Sequence, residues 1–237
     1  MAAALGAVTG IGGGLILRPS LSLMGADLGL ATFTSAAAVF TMAVVSITTR
    51  RVWKTGIGMT RLATLAGGSI VGAFGGAFLL RFLSPLIVGL ALLVTMIAMG
   101  ALLLLKSRLK PRLIDSHLAS AGVGAGTGLL SGLFGIGGGP FQMLALMLLF
   151  GSKPKDAVVQ SLFIAMLASA SALVQYVLAG IADASLLAFV LPGSVAGGLA
   201  GYALAKHLSD RVVVVMLFVV ILGVILAQSF YLSTWIF

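Results

Sequence analysis

Cysteine and glutamate are absent from this chain, and histidine occurs twice, at His117 and His207. The first absence excludes disulfides and thiolate metal sites while saying nothing about compartment. With only five aspartates as well, little material is left for metal binding or acid–base catalysis. The HExxH and GxSxG signatures are missing, and neither histidine lies in mid-span, so the chain reads as no enzyme and as needing no metal or cofactor. Charge of either sign is scarce: 8% of the 237 residues are charged, against about 25% in a soluble domain. What fills the space is apolar, at 60% hydrophobic residues, and such a chain reads as a polytopic membrane protein.

The little charge present is one-sided, with fourteen Lys and Arg against five Asp and a net charge of +9. No basic helix or aromatic platform accompanies it, so nucleic acid is not the partner. The basic residues sit between apolar runs, where they set topology, and their potential favours anions near the mouths of a pathway. Met1 to Leu5 lacks a basic n-region and runs straight into a glycine motif, unlike a signal peptide.

A hydrocarbon core of about 30 Å needs roughly 20 apolar residues per helix. Six runs meet that length: Leu28 to Thr49, Leu62 to Leu80, Phe82 to Leu105, Ala157 to Ala182, Ala184 to Ala205 and Val212 to Leu232. Two do not. Ala2 to Leu17 is short, and Leu118 to Phe150 is too long for one span and too short for two. Each carries a Gly-x-Gly-Gly-Gly core, at Gly10 to Gly14 and at Gly135 to Gly139, the second followed by Pro140. Inside a helix each glycine costs about 1 kcal/mol and the proline about 3, so both segments are read as broken.

The two halves match beyond the glycines. Gly25 pairs with Gly151, Ala31 with Ala157, "FTS" (Phe33 to Ser35) with "VQS" (Val159 to Ser161), and "GGSIVGAFGG" (Gly67 to Gly76) with "PGSVAGGLAG" (Pro192 to Gly201). The chain is therefore a duplicated unit, an arrangement that points to a transporter site between the repeats.

The basic segments Arg50 to Lys54, with Arg61, and Lys106 to Arg112 belong on the cytoplasmic side, as does "SKPK" at Ser152 to Lys155; the loop holding Asp183 faces outward. Leu118 to Phe150 then begins and ends inside and must dip in and return, as a re-entrant hairpin with arms of about 16 and 11 residues. By the same reasoning the first hairpin enters from outside, which places both termini outside and inverts the repeats. Arg18 falls on the outer side, against the charge rule; a kinked single helix is the alternative to each hairpin. The expected fold is all-α, with two inverted repeats, each a glycine-tipped hairpin plus three transmembrane helices. Residues 1–105 form the first repeat, 106–117 a basic linker and 118–237 the second.

Irregular backbone at membrane depth survives where protein or a watery cavity satisfies it, and consecutive glycine amides with helix N-termini suit small anions. Close helix packing explains the same glycines equally well from spacing alone. The polar patches after each tip, Thr32 to Ser35 and Val159 to Ser161, either line a shared cavity or cap helices; Gln142, Gln175 and Tyr176 are lesser candidates. Gly68, Gly72 and Gly76, and Gly193, Gly197 and Gly201, form small-residue stripes for helix contact within the monomer or between subunits of a homo-oligomer. Asp27, Asp156 and Asp183 lie near span beginnings as N-caps, and no carboxylate sits in mid-span as a proton relay.

The duplicated Gly-x-Gly-Gly-Gly cores, each followed by an "MGA" or "FGS" loop and a Thr-Ser or Gln-Ser helix start, resemble the sulfite exporter TauE/SafE family of bacterial membrane permeases, over nearly the whole chain. That resemblance implies export of small sulfur-containing anions, sulfite or organosulfonates such as sulfoacetate, across the inner membrane. Carried over by position, it implies a substrate site of Gly12, Gly13, Gly14, Thr34, Ser35, Gly137, Gly138, Gly139, Gln160 and Ser161. Gln160 departs from the family, which often has Thr there, and the arm before Gly10 is unusually short. An alternating-access carrier is the leading mechanism, and a passive anion channel of the same architecture is the alternative.

Overall fold

The computed structural model describes residues 2–49, 57–105 and 115–236, and among the described residues every regular element is a helix. The first half consists of α1 (Ala2–Thr9), α2 (Gly14–Leu23), α3 (Leu28–Thr48), α4 (Met59–Leu79, prolonged by a 3-10 turn over Leu80–Phe82) and α5 (Pro85–Leu105). The second half repeats the order: α6 (His117–Phe134), α7 (Gly139–Leu149), α8 (Pro154–Leu178), α9 (Leu187–Ala205) and α10 (Asp210–Ile236). The basic segments 50–54 and 106–112 lie outside the described residues.

Six of these helices, α3, α4, α5, α8, α9 and α10, are long and apolar enough to cross a membrane. They coincide with the six apolar runs to within a few residues, because a span of about 20 residues is set by lipid thickness rather than by tertiary detail. Large apolar side chains stand outward along them, Val94 on α5 at 64% exposed and Phe230 on α10 at 65% among them, as a lipid-facing surface requires. The chain is a multi-pass membrane protein. The two broken segments are the pairs α1/α2 and α6/α7, and the second pair has arms of 18 and 11 residues.

Backbone-to-backbone packing builds the core. On α4, Gly68, Gly72 and Gly76 face the carbonyl oxygens of Ala121, Ala125 and Leu129 on α6, while Gly124, Gly128 and Gly132 of α6 face those of Leu65, Ser69 and Ala73 on α4. A Cβ at any of the six would fall on a carbonyl oxygen, so the helices touch as closely as membrane helices can. Residue numbers rise together along this contact, which makes α4 and α6 parallel. In the second half, Gly197 and Gly201 of α9 meet Ala3, Ala4 and Ala7 of α1 with the same sense. Gly193, expected in that stripe, has nothing within 4 Å; Gly198 instead faces Met42 and Val45 of α3. The stripes thus serve contact inside one chain, each joining a broken helix of one half to an intact helix of the other.

Of the three aspartates expected as N-caps, Asp27 caps α3, its Oδ1 accepting from Leu30 N–H at 3.2 Å. Asp156 lies inside the first turn of α8, because Pro154 supplies a pre-set helical φ and starts the helix earlier. Asp183 precedes α9 by four residues, and its Oδ1 accepts from the backbone N–H of Ser185 at 2.8 Å in a local turn.

Candidate functional site

Each broken pair is interrupted by glycines held in a conformation other residues avoid. Gly10 and Gly12 have φ of 71° and 75°, and their equivalents Gly135 and Gly137 have 64° and 75°. The match ends at the fourth position, where Gly13 has φ −55° and Gly138 has φ +67°. Gly135 ends α6 as a left-handed cap, and Pro140 restarts the chain as the first turn of α7, a place where its missing N–H costs nothing.

The two turns meet each other in the middle of the bundle. A Cβ on Gly139 would strike the carbonyl oxygens of Gly10 and Ile11, and one on Gly14 would come 3.1 Å from Ile136 Cα. Each turn also packs against the start of the long helix of the other half. Gly10 lies beside Val158 and Ser161 of α8, and Gly135 lies beside Thr32 of α3. The glycines are needed here because nothing larger than hydrogen fits between two backbones.

Hydroxyls after each turn are spent differently. Ser35 Oγ donates to Gly14 O at 3.1 Å and Ser161 Oγ donates to Gly10 O at 3.0 Å, so both serines hold the first turn. Thr34 Oγ1, although fully buried, has no partner among the described residues. Gln160 turns toward the loop after α7, accepting from Ser152 Oγ at 2.9 Å and leaving its Nε2 unpartnered.

Around the second turn the structure adds groups that sequence reasoning missed. Ser131 Oγ would lie 3.2 Å from a Cβ on Gly138 and Ser169 Oγ 3.1 Å from one on Gly137, and neither hydroxyl has a partner among the described residues. Gln142 reaches α4, its Nε2 donating to Ser69 Oγ at 3.1 Å, while its Oε1 is unpartnered. Among the described residues, the N–H groups of Gly13, Gly137 and Gly138 donate no backbone hydrogen bond. Buried polar groups are ordinarily satisfied, and here groups able to donate outnumber the one pure acceptor, Gln142 Oε1. Ser131 and Ser169 went unnoticed because a serine in a membrane helix commonly bonds its own backbone, and only proximity to the turns distinguishes these two.

Two cavities open at opposite ends of the bundle, and one of them reaches the first turn. One of about 390 Å³ has the exposed Lys155 and Lys206 in its lining together with the buried Val8, Val158 and Val213, and Val158 lies beside Gly10 of the first turn. The Lys206 ammonium stands 4.3 Å from the centre of the Tyr202 ring. The other, of about 610 Å³, is lined by the start of α3 (Asp27, Leu28), the end of α4 (Leu80, Arg81) and residues 180–184. Hydrogen bonds from the backbone and the hydroxyl of Ser185 hold the Asp183 carboxyl below the usual carboxylate range, so it stays charged at that mouth.

A family model described as "Sulfite exporter TauE/SafE" matches residues 1–228. The chain belongs to this family. Two curated relatives of Bacillus subtilis strain 168 are similar to parts of it: "Probable membrane transporter protein YunE", 35% identical over 109 residues (45% of this chain and 40% of the relative), and "Probable membrane transporter protein YdhB", 26% identical over 149 residues (60% and 61%). The chain thus matches less than two thirds of either relative's length. No solved structure matches it. Of the ten positions that the TauE/SafE resemblance implies, seven (Gly12, Gly14, Ser35, Gly137, Gly138, Gly139 and Ser161) touch the other turn or a helix against it in the contacts above, or border the unpartnered hydroxyls; Thr34 is buried with no partner among the described residues, Gly13 packs on α1, and Gln160 points away.

Sequence reasoning placed Arg18 on the outer side of the membrane and did not foresee its burial: the side chain lies inside the bundle at 3% exposed, one helical turn after Gly14.

Proposed function

We propose that this TauE/SafE protein is a secondary transporter that exports small sulfur-containing anions, sulfite or short organosulfonates, by alternating access. In this reading the halves are inverted repeats and the pairs α1/α2 and α6/α7 are re-entrant hairpins, with both termini outside an inner membrane. The observation that carries it is the meeting of two glycine turns from opposite halves, surrounded by buried donors that lack partners. The parallel α4/α6 and α1/α9 contacts support the inversion, since each broken helix runs with an intact helix of the other half. Direct contact between the turns favours a closed intermediate over a standing pore, and so a carrier over a channel.

The lysine mouth beside the first turn collects the anion on the cytoplasmic side in this reading, and the mouth holding Asp27 and Asp183 releases it. Of the ten expected positions, Gly13, Gly137 and Gly138 by their free N–H groups and Thr34 by its hydroxyl are the substrate donors in this reading, with Ser131 and Ser169 added; Gly12, Gly14, Ser35, Gly139 and Ser161 build the turns that present them, and Gln160 faces Ser152 instead. Purified protein in liposomes is expected to give saturable sulfite or sulfoacetate flux with counterflow. Flux that never saturates indicates a channel, and no flux of any anion in either direction refutes the reading.

Removing both mouth lysines (Lys155→Ala with Lys206→Ala) is expected to raise the half-saturation concentration from that side roughly tenfold at low ionic strength, by loss of steering. The difference should shrink as salt shortens the Debye length to about 3 Å near 1 M. Flux measured against salt, from each side in turn, checks both statements.

A further inference from the structure

We infer that Arg18 is the fixed positive charge of the transport pathway, engaging an oxyanion by its guanidinium fork as the anion leaves the glycine turns. The inference rests on the proposed function and deepens it by naming a charged ligand where only dipoles and hydroxyls had been assigned.

Arg18 projects from α2 in the first half toward groups that flank the second turn. Its Nε donates a long hydrogen bond, 3.5 Å, to Thr32 Oγ1, and its guanidinium carbon lies 6.0 Å from the centre of the Phe134 ring. Phe134 is the last residue of α6 before Gly135, and Thr32 is the residue on which Gly135 packs. Tyr176 on α8, fully buried with its neutral hydroxyl donating to Gly132 O, and Tyr231 on α10 also lie in its neighbourhood. The guanidinium therefore sits where α2, α3, α6 and α8 converge, beside the meeting of the turns.

A guanidinium cannot discharge itself by losing its proton, so its burial has to be compensated. Among the described residues no carboxylate lies within 4 Å of it, and its one hydrogen bond uses one of five N–H donors. An aromatic face and a hydroxyl are weak compensation for a full charge in a bilayer. An ionisable residue at such a place marks a substrate path by default. The planar fork fits a group presenting two oxygens side by side, which sulfite, sulfonates and carboxylates all do. Such a charge also resolves a difficulty of the glycine turns, whose amides attract anions without distinguishing them from neutral polar solutes.

The test uses the full chain, purified and reconstituted, with inorganic sulfite as the probe. Arg18→Gln is expected to lower sulfite flux at subsaturating concentration roughly 100-fold, as loss of one partner of a buried charged hydrogen bond does. Arg18→Lys, which keeps the charge and loses the fork, should fall between the two. Thermal unfolding supplies a readout that a structural strut would move the other way. Without anion, Arg18→Gln should melt no lower than the native protein, since an uncompensated charge has been removed, and sulfite should stabilise the native protein but not the variant. Native sulfite flux and stabilisation that survive Arg18→Gln overturn this assignment and leave the transporter reading standing. A variant that melts lower without anion and still responds to sulfite marks Arg18 as a strut and likewise overturns it. A native protein that neither moves sulfite or sulfoacetate nor is stabilised by them overturns the transporter reading, and this inference with it.

Discussion

Gly72→Leu is expected to prevent assembly of the protein. Its Cβ would enter the space of the Ala125 carbonyl oxygen, and Leu129 N would lie 2.8 Å away, so no side-chain rotamer relieves the overlap. The two helices must separate along their length, breaking the interlocked contacts at Gly68, Gly76, Gly124, Gly128 and Gly132 as well. Overpacking of this kind costs at least about 1–3 kcal/mol, a large share of a total stability of roughly 5–15 kcal/mol. Gel filtration in detergent should show aggregate where the native protein elutes as one peak. Gly75→Ala, three residues along the same helix, is the opposite case. Nothing lies within 4 Å of the added Cβ there, so replacing this helical glycine, which has open space beside it, should stabilise the protein by about 0.5–1 kcal/mol. A Gly72→Leu protein that elutes and melts like the native one contradicts the packing described for α4 and α6.

Gly139→Ala is expected to spare the fold and remove transport. The position has no positive φ, so the added methyl strains no backbone dihedral of its own. Its effect falls on the backbone of Gly10 and Ile11, whose carbonyl oxygens would lie 2.4 and 2.3 Å from the new methyl, so the first turn must retreat by about 1 Å to restore ordinary contact. A misplacement approaching 1 Å in a catalytic or transporting constellation costs on the order of 100-fold in rate. Liposome flux should fall by about that factor while the protein inserts and elutes normally. Gly25→Ala isolates the other property of glycine. Its φ is +88° with nothing within 4 Å, so it carries only the cost of a left-handed conformation, roughly 1–2 kcal/mol, and should transport normally. Full activity of Gly139→Ala would show that the turns need not touch for transport.

The stripes at Gly68 to Gly76 and Gly193 to Gly201 were equally visible in the sequence, yet their partners were not. Periodicity of four residues identifies a face, and it leaves open whether that face meets lipid, another subunit or a helix more than fifty residues away. The structure pairs Gly72 with Ala125 and Gly197 with Ala3 and Ala4, and it leaves Gly193 without a neighbour. Similarly, Ser35 and Ser161 occupy matching places in the two halves, but both hydroxyls bond carbonyls of the first turn, at Gly14 and Gly10. Thr34 and Gln160 also match by position, and one is buried without a partner while the other turns back to Ser152. Duplication fixes where such side chains start; the rotamer depends on neighbours that differ between the halves.

The amino-acid sequence by itself determined the membrane class, the six long helices, the two broken segments and the doubling of the unit. All four follow from local quantities: the apolar length that matches a bilayer, the helix cost of glycine and proline, and self-similarity along the chain. Only the tertiary structure decided that the glycine turns touch each other, that the small-residue stripes bind broken helix to intact helix across the halves, and that Arg18 lies inside the bundle near Thr32 and Phe134. The reason is that a backbone contact leaves no side-chain signature beyond the absence of a Cβ, and a single arginine near the end of an apolar run reads as a flanking charge until the packing of four helices shows what surrounds it.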